Sequence, residues 1–321
     1  MGYGNTAKHE TLNPGTGYSY AHQYAKLHNL AKSEPEPEPN YPGCTRKFIP
    51  GNCESGHKFV KAIFCGKEFC PVCGKIDSDI HQRRKARWYP KVHSLKKVGY
   101  LVVTIPYEAR ESFKDVKVLS DFRTFLKRKF QRMGFEKGLS RWHWFGDCKE
   151  CSGNACEKCK GTGAGTNWHP HLNFILESGY MEKPEFTNFT EELKTDVIRW
   201  IKNRFKKLNH LKWKGNVNYS YRKSEKQINH TINYVTRSTF RIFDPLIADL
   251  LKGYRTTSTW GKFEPCEHVS ENSELISLEN SICPCCGGSV TWDGKNLLTR
   301  SRLFGISKKW ISGGYFILED G

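Results

Sequence analysis

Trp168-His169-Pro170-His171-Leu172-Asn173-Phe174-Ile175-Leu176 sets two imidazoles and a carboxamide at alternate positions, ahead of an apolar run closed by Gly179. From His171 onward the stretch reads as a strand, on which alternate side chains share a face. His171 and Asn173 therefore point the same way, and His169 joins them if the pleat extends back through Pro170. Imidazole suits several divalent metals, and a cation held there polarises a phosphoryl oxygen as a Lewis acid. A catalytic divalent cation on His169, His171 and Asn173, two or three of them together, is the chemistry this row offers. Taken alone, a His-x-His pair is also what two hydrogen-bonded histidines at the mouth of a strand look like.

A second chemistry-bearing stretch is a predicted helix. Ser224-Glu225-Lys226-Gln227 has the form of a capping box, and Ile228, Ile232 and Val235 make the apolar stripe that follows. His230 and Tyr234 stand four apart and off that stripe, with Arg237 one turn later. A core tyrosine would sit on the stripe, so this one is better placed for a site. Before them, Gly99-Tyr100-Leu101-Val102-Val103-Thr104-Ile105-Pro106 reads as a buried strand ended by proline. Phe122, Phe125, Leu126, Phe130 and Met133 recur at helical spacing as core packing. Thr190 is placed to cap a helix bearing Leu193, Val197, Ile201 and Phe205, and Val217 to Tyr221 alternates as a strand.

The chain has 13 cysteines in 321 residues, most in short-spaced pairs. In a reducing compartment that pattern means zinc sites rather than a disulfide framework. Cys53, Cys65, Cys70 and Cys73 are the expected ligands of a first structural Zn2+, with Cys44 or His57 as substitutes. Cys148, Cys151, Cys156 and Cys159 form a pair of Cys-x-x-Cys knuckles close enough in sequence to close on one ion. This motif resembles half of the cysteine-rich region of DnaJ-type chaperones. Cys266, His268, Cys283 and Cys286 are the expected third set, with Cys285 spare. Two or three zinc ions follow. The closed four-cysteine site of Cys148, Cys151, Cys156 and Cys159 has no open position for substrate.

With 51 Lys+Arg against 33 Asp+Glu the formal net charge is +18, and such a field attracts polyanions, nucleic acid first. His81 to Trp88 concentrates that charge, and Arg83, Arg84, Lys85 and Arg87 are the expected DNA-phosphate contacts. No apolar run approaches the roughly 20 residues that span a bilayer, and Met1 to Asn5 lacks the features of a signal peptide. A cytoplasmic, soluble protein with no membrane partner is expected. Residues 1–43 read as a disordered arm ending in a Glu-Pro linker, Ser33 to Pro39. No Gly-rich loop ending in Lys-Ser or Lys-Thr is present, which excludes a helicase of the P-loop kind.

Taken together and in order, the strand ending Thr104-Ile105-Pro106, the histidine strand and the helix with Tyr234-Val235-Thr236-Arg237 resemble the HUH endonuclease superfamily. The likeness is to rolling-circle replication initiators of plasmids and viruses, archaeal ones included. It covers roughly Tyr100 to Phe240. The resemblance implies an α+β fold, a central antiparallel sheet of five strands with flanking helices, a metal on a central strand and a nucleophile delivered from a helix. Around the nuclease domain 96–255 that it implies, the cysteine spacing adds a zinc-knuckle and basic-helix segment 44–95, a knuckle insertion at 147–163 and a C-terminal zinc-ribbon-like module 256–321.

By position, the resemblance makes Tyr234 the nucleophile, His171 with either His169 or Asn173 the metal pair, and Arg237 the match to a following basic residue. His230 stands where some relatives carry a glutamate, as a third ligand or as a group that orients or deprotonates Tyr234 or a water. The implied product is a 5′-phosphotyrosyl link and a free 3′-hydroxyl on single-stranded or hairpin origin DNA, with host polymerase and helicase as partners. Two rivals are an HUH-type transposase or relaxase and a non-catalytic zinc-ribbon nucleic-acid-binding protein.

Overall fold

Short segments with one apolar and one polar face pair into two antiparallel sheets in the computed structural model of this chain. It describes residues 47–65, 79–147, 149–150, 157, 164–212, 217–237, 245–264, 273–299, 301–303, 306 and 308–318. All of them lie in one unit, Tyr41–Gly321. In chain order, β1 (Lys47–Cys53) and β2 (Lys58–Ala62) form a hairpin, followed by α1 (Asp79–His93), β3 (Val98–Thr104) and α2 (Val116–Arg132). Then come β4 (Gly138–Asp147), β5 (Ala164–Glu177), α3 (Lys183–Arg204), β6 (Val217–Arg222) and α4 (Glu225–Thr236). After α5 (Pro245–Leu250), β7 (Thr257–Trp260) and α6 (Ser273–Glu279), the chain ends in β8 (Val290–Trp292), β9 (Leu298–Thr299), β10 (Lys308–Ser312) and β11 (Tyr315–Leu318). The protein is thus α+β with antiparallel sheets and flanking helices. No described helix is long and apolar enough to cross a membrane.

The five-stranded sheet has the order β6-β3-β5-β4-β7. Its period-2 pattern separates two cores. On one face Leu101, Val103, Trp142, Leu172, Phe174 and Leu176 pack under α2 and α3, where Phe122 meets Phe113 and Trp200 edge-on with ring centroids 5.1 Å away. On the other, Val98, Leu139 and Ile175 pack with Trp88, Tyr89 and Val92 of α1 and with Ile232 and Val235 of α4. Each large apolar side chain so buried contributes about 1.5–3 kcal/mol.

β5 runs back to Ala164, well before the predicted start, and takes Pro170 with it. Four of its residues, Trp168 to His171, lie opposite three of β4, Phe145 to His143. A proline that would interrupt a regular ladder is accommodated at such a bulge.

Two expectations are corrected. α3 begins at Lys183 with Glu182 at its N-cap; Thr190 lies inside it and donates to the Thr187 carbonyl at 3.0 Å, because buried Phe189 carries the apolar stripe further back. The segments expected as separate N-terminal and C-terminal modules instead share one sheet, ordered β10-β11-β2-β1-β8 with β9 also on β1. The β1–β2 hairpin alone is too small to be stable, and β8 on β1 and β11 on β2 extend it into a sheet.

Candidate active site and metal centre

The site lies on the α1/α4 side of the five-stranded sheet. The β4–β5 register sets His143 opposite His171 and Arg141 opposite Asn173. Above them, α4 is started by its capping box: Ser224 Oγ accepts from the Gln227 N–H at 3.3 Å, and Gln227 Oε1 accepts from the Lys223 N–H at 2.8 Å. Its far end is fixed by side chains from elsewhere. His81 donates to the Asn233 carbonyl at 3.2 Å, His143 to Val235 at 3.0 Å, Arg84 to Thr236 at 2.7 Å and Arg141 to Arg237 at 3.4 Å. These are the carbonyls that a helix end leaves without intrahelical partners, and guanidinium groups also suit the negative end of its dipole. Two elements, α1 and β4, thereby determine where Tyr234 stands.

Tyr234 is half-buried and its ring lies 5.6 Å from that of His143, which is 5.4 Å from His171, itself 5.5 Å from His169. The four rings form a row. The Tyr234 hydroxyl donates to Asp147 Oδ2 at 3.5 Å, the outer limit of a hydrogen bond. Asp147 Oδ1 accepts from Arg237 Nη2 at 2.8 Å, and the same guanidinium lies 3.9 Å from the centre of the Tyr234 ring. Cation, carboxylate and phenol are therefore in mutual contact.

Burial, with the His171 imidazole and the guanidiniums of Arg237 and Arg141 nearby, holds the His143 imidazole well below its ordinary range, so it is neutral. Since a carbonyl only accepts, its Nε2 carries the proton. His171 gives its Nδ1–H to the His169 carbonyl at 2.9 Å, which makes Nε2 the nitrogen that could face a metal. Burial, Arg110 and His171 bring His169 down to about 4. Neutral imidazole is the ligand form, and an Nδ1–H donated to a carbonyl is the usual orienting bond of a metal-binding histidine.

Asn173 belongs to the row by pleat but sits deeper. It is fully buried, and its Oδ1 accepts from the Tyr100 hydroxyl at 2.6 Å. Burial and the neighbouring Tyr234 push the Tyr100 phenol up, so it stays a neutral donor. His230 stands exposed one turn before Tyr234. The fold thus gathers Tyr234, Arg237, His169 and His171. Reading the sequence alone misses His143, Asp147 and Tyr100. The one signal for His143 is the alternation Arg141-Trp142-His143-Trp144, with polar residues on one face and indoles on the other.

Of the expected DNA contacts, Arg83 is turned inward. It donates to the carbonyls of Gly313 at 2.6 Å and Ala62 at 2.9 Å and lies over Phe64 and Tyr315. Arg87 is exposed, and Arg84 and Lys85 are half-buried.

The cysteines regroup. Cys53, His57, Cys283 and Cys286 have their ligand atoms within 4.8 Å of one another, the one such set among the described residues, and can hold a metal ion such as zinc. Cys53 Sγ is 3.3 Å from His57 Nδ1 and 3.7 Å from Cys286 Sγ. Two tight turns present the four, one closed by Gly56 N–H to the Cys53 carbonyl and one by Gly287 N–H to the Cys283 carbonyl, with positive φ at both glycines. Contacts from Ser55, the Gly288 N–H and Cys283 hold the Cys286 thiol down to about 6, toward the thiolate that binds metal. The expected sets are corrected accordingly: Cys53 goes with His57 rather than Cys65, and Cys283 and Cys286 complete that site instead of a separate one. Pairing of β1 with β8 brings the two turns together. Cys65 and Cys285 stand outside the cluster. Cys44, Cys70, Cys73, Cys148, Cys151, Cys156, Cys159, Cys266 and His268 lie outside the described residues.

Comparison with known proteins adds no relative: no family model, no curated protein and no solved structure matches this chain.

Proposed function

We propose that this chain is a rolling-circle replication initiator of the HUH kind, a nickase and strand transferase that uses Tyr234 as its nucleophile. The observation that carries the reading is the contact of Tyr234 with both Asp147 and Arg237 at the head of a ring row ending in His171 and His169. A five-stranded antiparallel sheet with the histidines on an inner strand agrees with it. Single-stranded or hairpin origin DNA is the substrate, and host polymerase and helicase act afterwards.

In the reaction the Tyr234 oxygen attacks phosphorus and its proton passes to Asp147 or water. The P–O3′ bond breaks, the O3′ takes up a proton, and the products are a 5′-phosphotyrosyl ester and a free 3′-hydroxyl. Religation is the reverse. Arg237 provides positive charge beside the reacting oxygen, where negative charge develops. His143 stays neutral and serves as the donor that fixes α4. His169, held neutral, and His171, oriented by its Nδ1–H, suit a divalent cation, whereas Asn173 is committed to Tyr100. Bound there, Mg2+ or Mn2+ would supply charge neutralisation on the scissile phosphate.

The test is a denaturing gel of purified protein with Mn2+ and labelled single-stranded oligonucleotides covering both strands of its replicon. A covalent protein–DNA band that requires metal and vanishes in Tyr234→Phe is expected. Binding without any such band overturns the nickase and leaves a zinc-containing nucleic-acid-binding protein.

A further inference from the structure

The turn after β5, the start of α3 and the edge strand β6 put aromatic rings and two lysines around one open cleft of about 300 Å³. On β6 alternate side chains share a face, which sets Tyr219 and Tyr221 side by side. Phe186 comes from α3, and its ring centre is 6.4 Å from that of Tyr219. The Tyr219 ring is fixed in place. Its hydroxyl donates to the Gly179 carbonyl and lies 2.8 Å from Ser178 Oγ, and the ring covers Gly99 so closely that a methyl there would come within 2.6 Å of it. Burial, with Tyr221 and Glu185 nearby, pushes this phenol up, so it is a neutral donor. Tyr180 is the contrast, a large ring left 62% exposed with Lys223 Nζ 5.8 Å from its centre. Lys183, the first residue of α3, is exposed, as is Lys223. No carboxylate among the described residues lines the cleft.

Aromatic rings by themselves suit a cation, but the two lysines repel one. What fits both is a flat group that stacks, with negative charge beside it. Every nucleic-acid base has a face that stacks on an aromatic side chain, and a lysine ammonium is a point-charge partner for phosphate. The volume is at the lower end for ligand clefts and holds one such group. Tyr219 packs against the core under α2 and α3, whereas Tyr234 packs against the other core, so this is not the site already described. Lys223 directly precedes Ser224, the N-cap of α4, and the helix rise from there to Tyr234 is about 15 Å. We infer that this cleft takes one nucleotide of a single-stranded DNA, its base against Tyr180 and Tyr221 and its phosphate at Lys183 and Lys223, as a second hold on the strand away from Tyr234. That the strand is the one cut at Tyr234 rests on the nickase reading; stacking of a base in the cleft does not.

The experiment measures fluorescence anisotropy of two labelled strands of about 12 nucleotides across a salt series. One is oligothymidylate and the other an abasic strand, which keeps the phosphates and lacks the bases. The protein carries Tyr234→Phe, so no covalent step interferes, and thermal unfolding confirms that each variant folds. Tyr180→Ala should weaken oligothymidylate binding by about fivefold or more, the effect of removing one stacking ring, and change abasic-strand binding by less than about twofold. Tyr180→Phe keeps the ring and should bind both strands as the parent does. Lys183→Ala/Lys223→Ala should weaken both strands, with a log–log salt slope shallower by about 0.7, the value for one single-strand phosphate contact. Arg199→Ala/Lys207→Ala, which removes the same charge from exposed positions on and just after α3, should leave that slope unchanged. No binding of oligothymidylate, equal losses on the two strands in Tyr180→Ala, no loss on either, or the same slope change in both doubles overturns the site. The covalent-band assay on unmodified Tyr234 is scored separately. If that band is absent while Tyr180→Ala still loses base-dependent binding, the nickase reading fails and the cleft stands; a band with no effect of Tyr180→Ala means the reverse.

Discussion

Tyr234 acquires its surroundings from residues far from it in sequence. Asp147, at the end of β4, holds both the hydroxyl and Arg237, and His143 stands between Tyr234 and His171. At the other end of the row, His169 depends on Gly146. A methyl placed on Gly146 would come within 2.9 Å of His169 Nδ1, so Gly146→Ala has to push the imidazole aside. With His169 a metal ligand, Gly146→Ala should weaken Mn2+ binding by about 10–100-fold, the usual effect of disturbing a ligand's supporting contacts. Titration of Mn2+ by electron paramagnetic resonance checks this, and the zinc content of the Cys53 cluster should stay the same. Unchanged Mn2+ affinity would remove His169 from the metal pair.

At the scale of the element, α4 is held at both ends by different means. Its N-terminus is a local matter, set by Ser224 and Gln227. Its C-terminus is a tertiary one, set by His81, Arg84, Arg141 and His143. Ser224→Ala should therefore cost about 1 kcal/mol of stability and leave the single-turnover rate of covalent adduct formation unchanged. Arg141→Met removes bonds to Thr256 and Arg237 and should cost about 1–3 kcal/mol. It should also slow adduct formation at saturating DNA, since the last turn is released. Urea unfolding and single-turnover kinetics on both variants separate the two effects. Equal rates in the two would show that the C-terminal bonds do not position the tyrosine.

For the whole molecule, the Cys53–His57–Cys283–Cys286 cluster joins the beginning of the described chain to its end. An ion there binds the folded state alone, and at a free concentration about 1,000 times its dissociation constant it adds about 4 kcal/mol. At about 2–4 °C per kcal/mol for a domain of this size, chelation should lower the unfolding temperature by roughly 8–16 °C. Cys53→Ser or Cys283→Ser should reproduce the loss, and Cys65→Ser and Cys285→Ser should not. Differential scanning calorimetry with and without a zinc chelator reads this directly. A loss in Cys65→Ser equal to that in Cys53→Ser would overturn the ligand set.

Local patterns were legible in the sequence because the forces behind them act over a few residues. The alternation through His171 and Asn173 gave a strand, Ser224 and Gln227 gave a helix start, and the spacing of Ile228, Ile232 and Val235 placed Tyr234 off the main apolar stripe. Cys283-Pro284-Cys285-Cys286 gave a metal-binding turn. Partnership across the chain was not legible, because it is decided by strand register and by which surfaces remain to be buried. His143 meets His171 through β4–β5 pairing, Asp147 meets Tyr234 through helix packing, and Cys53 finds Cys283 and Cys286 because β1 pairs with β8. Arg83 and Arg84 are neighbours in a basic run, yet one is buried against Tyr315 and the other holds the tyrosine helix. A helix turns consecutive side chains about 100° apart, and only tertiary packing decides which of those directions faces solvent.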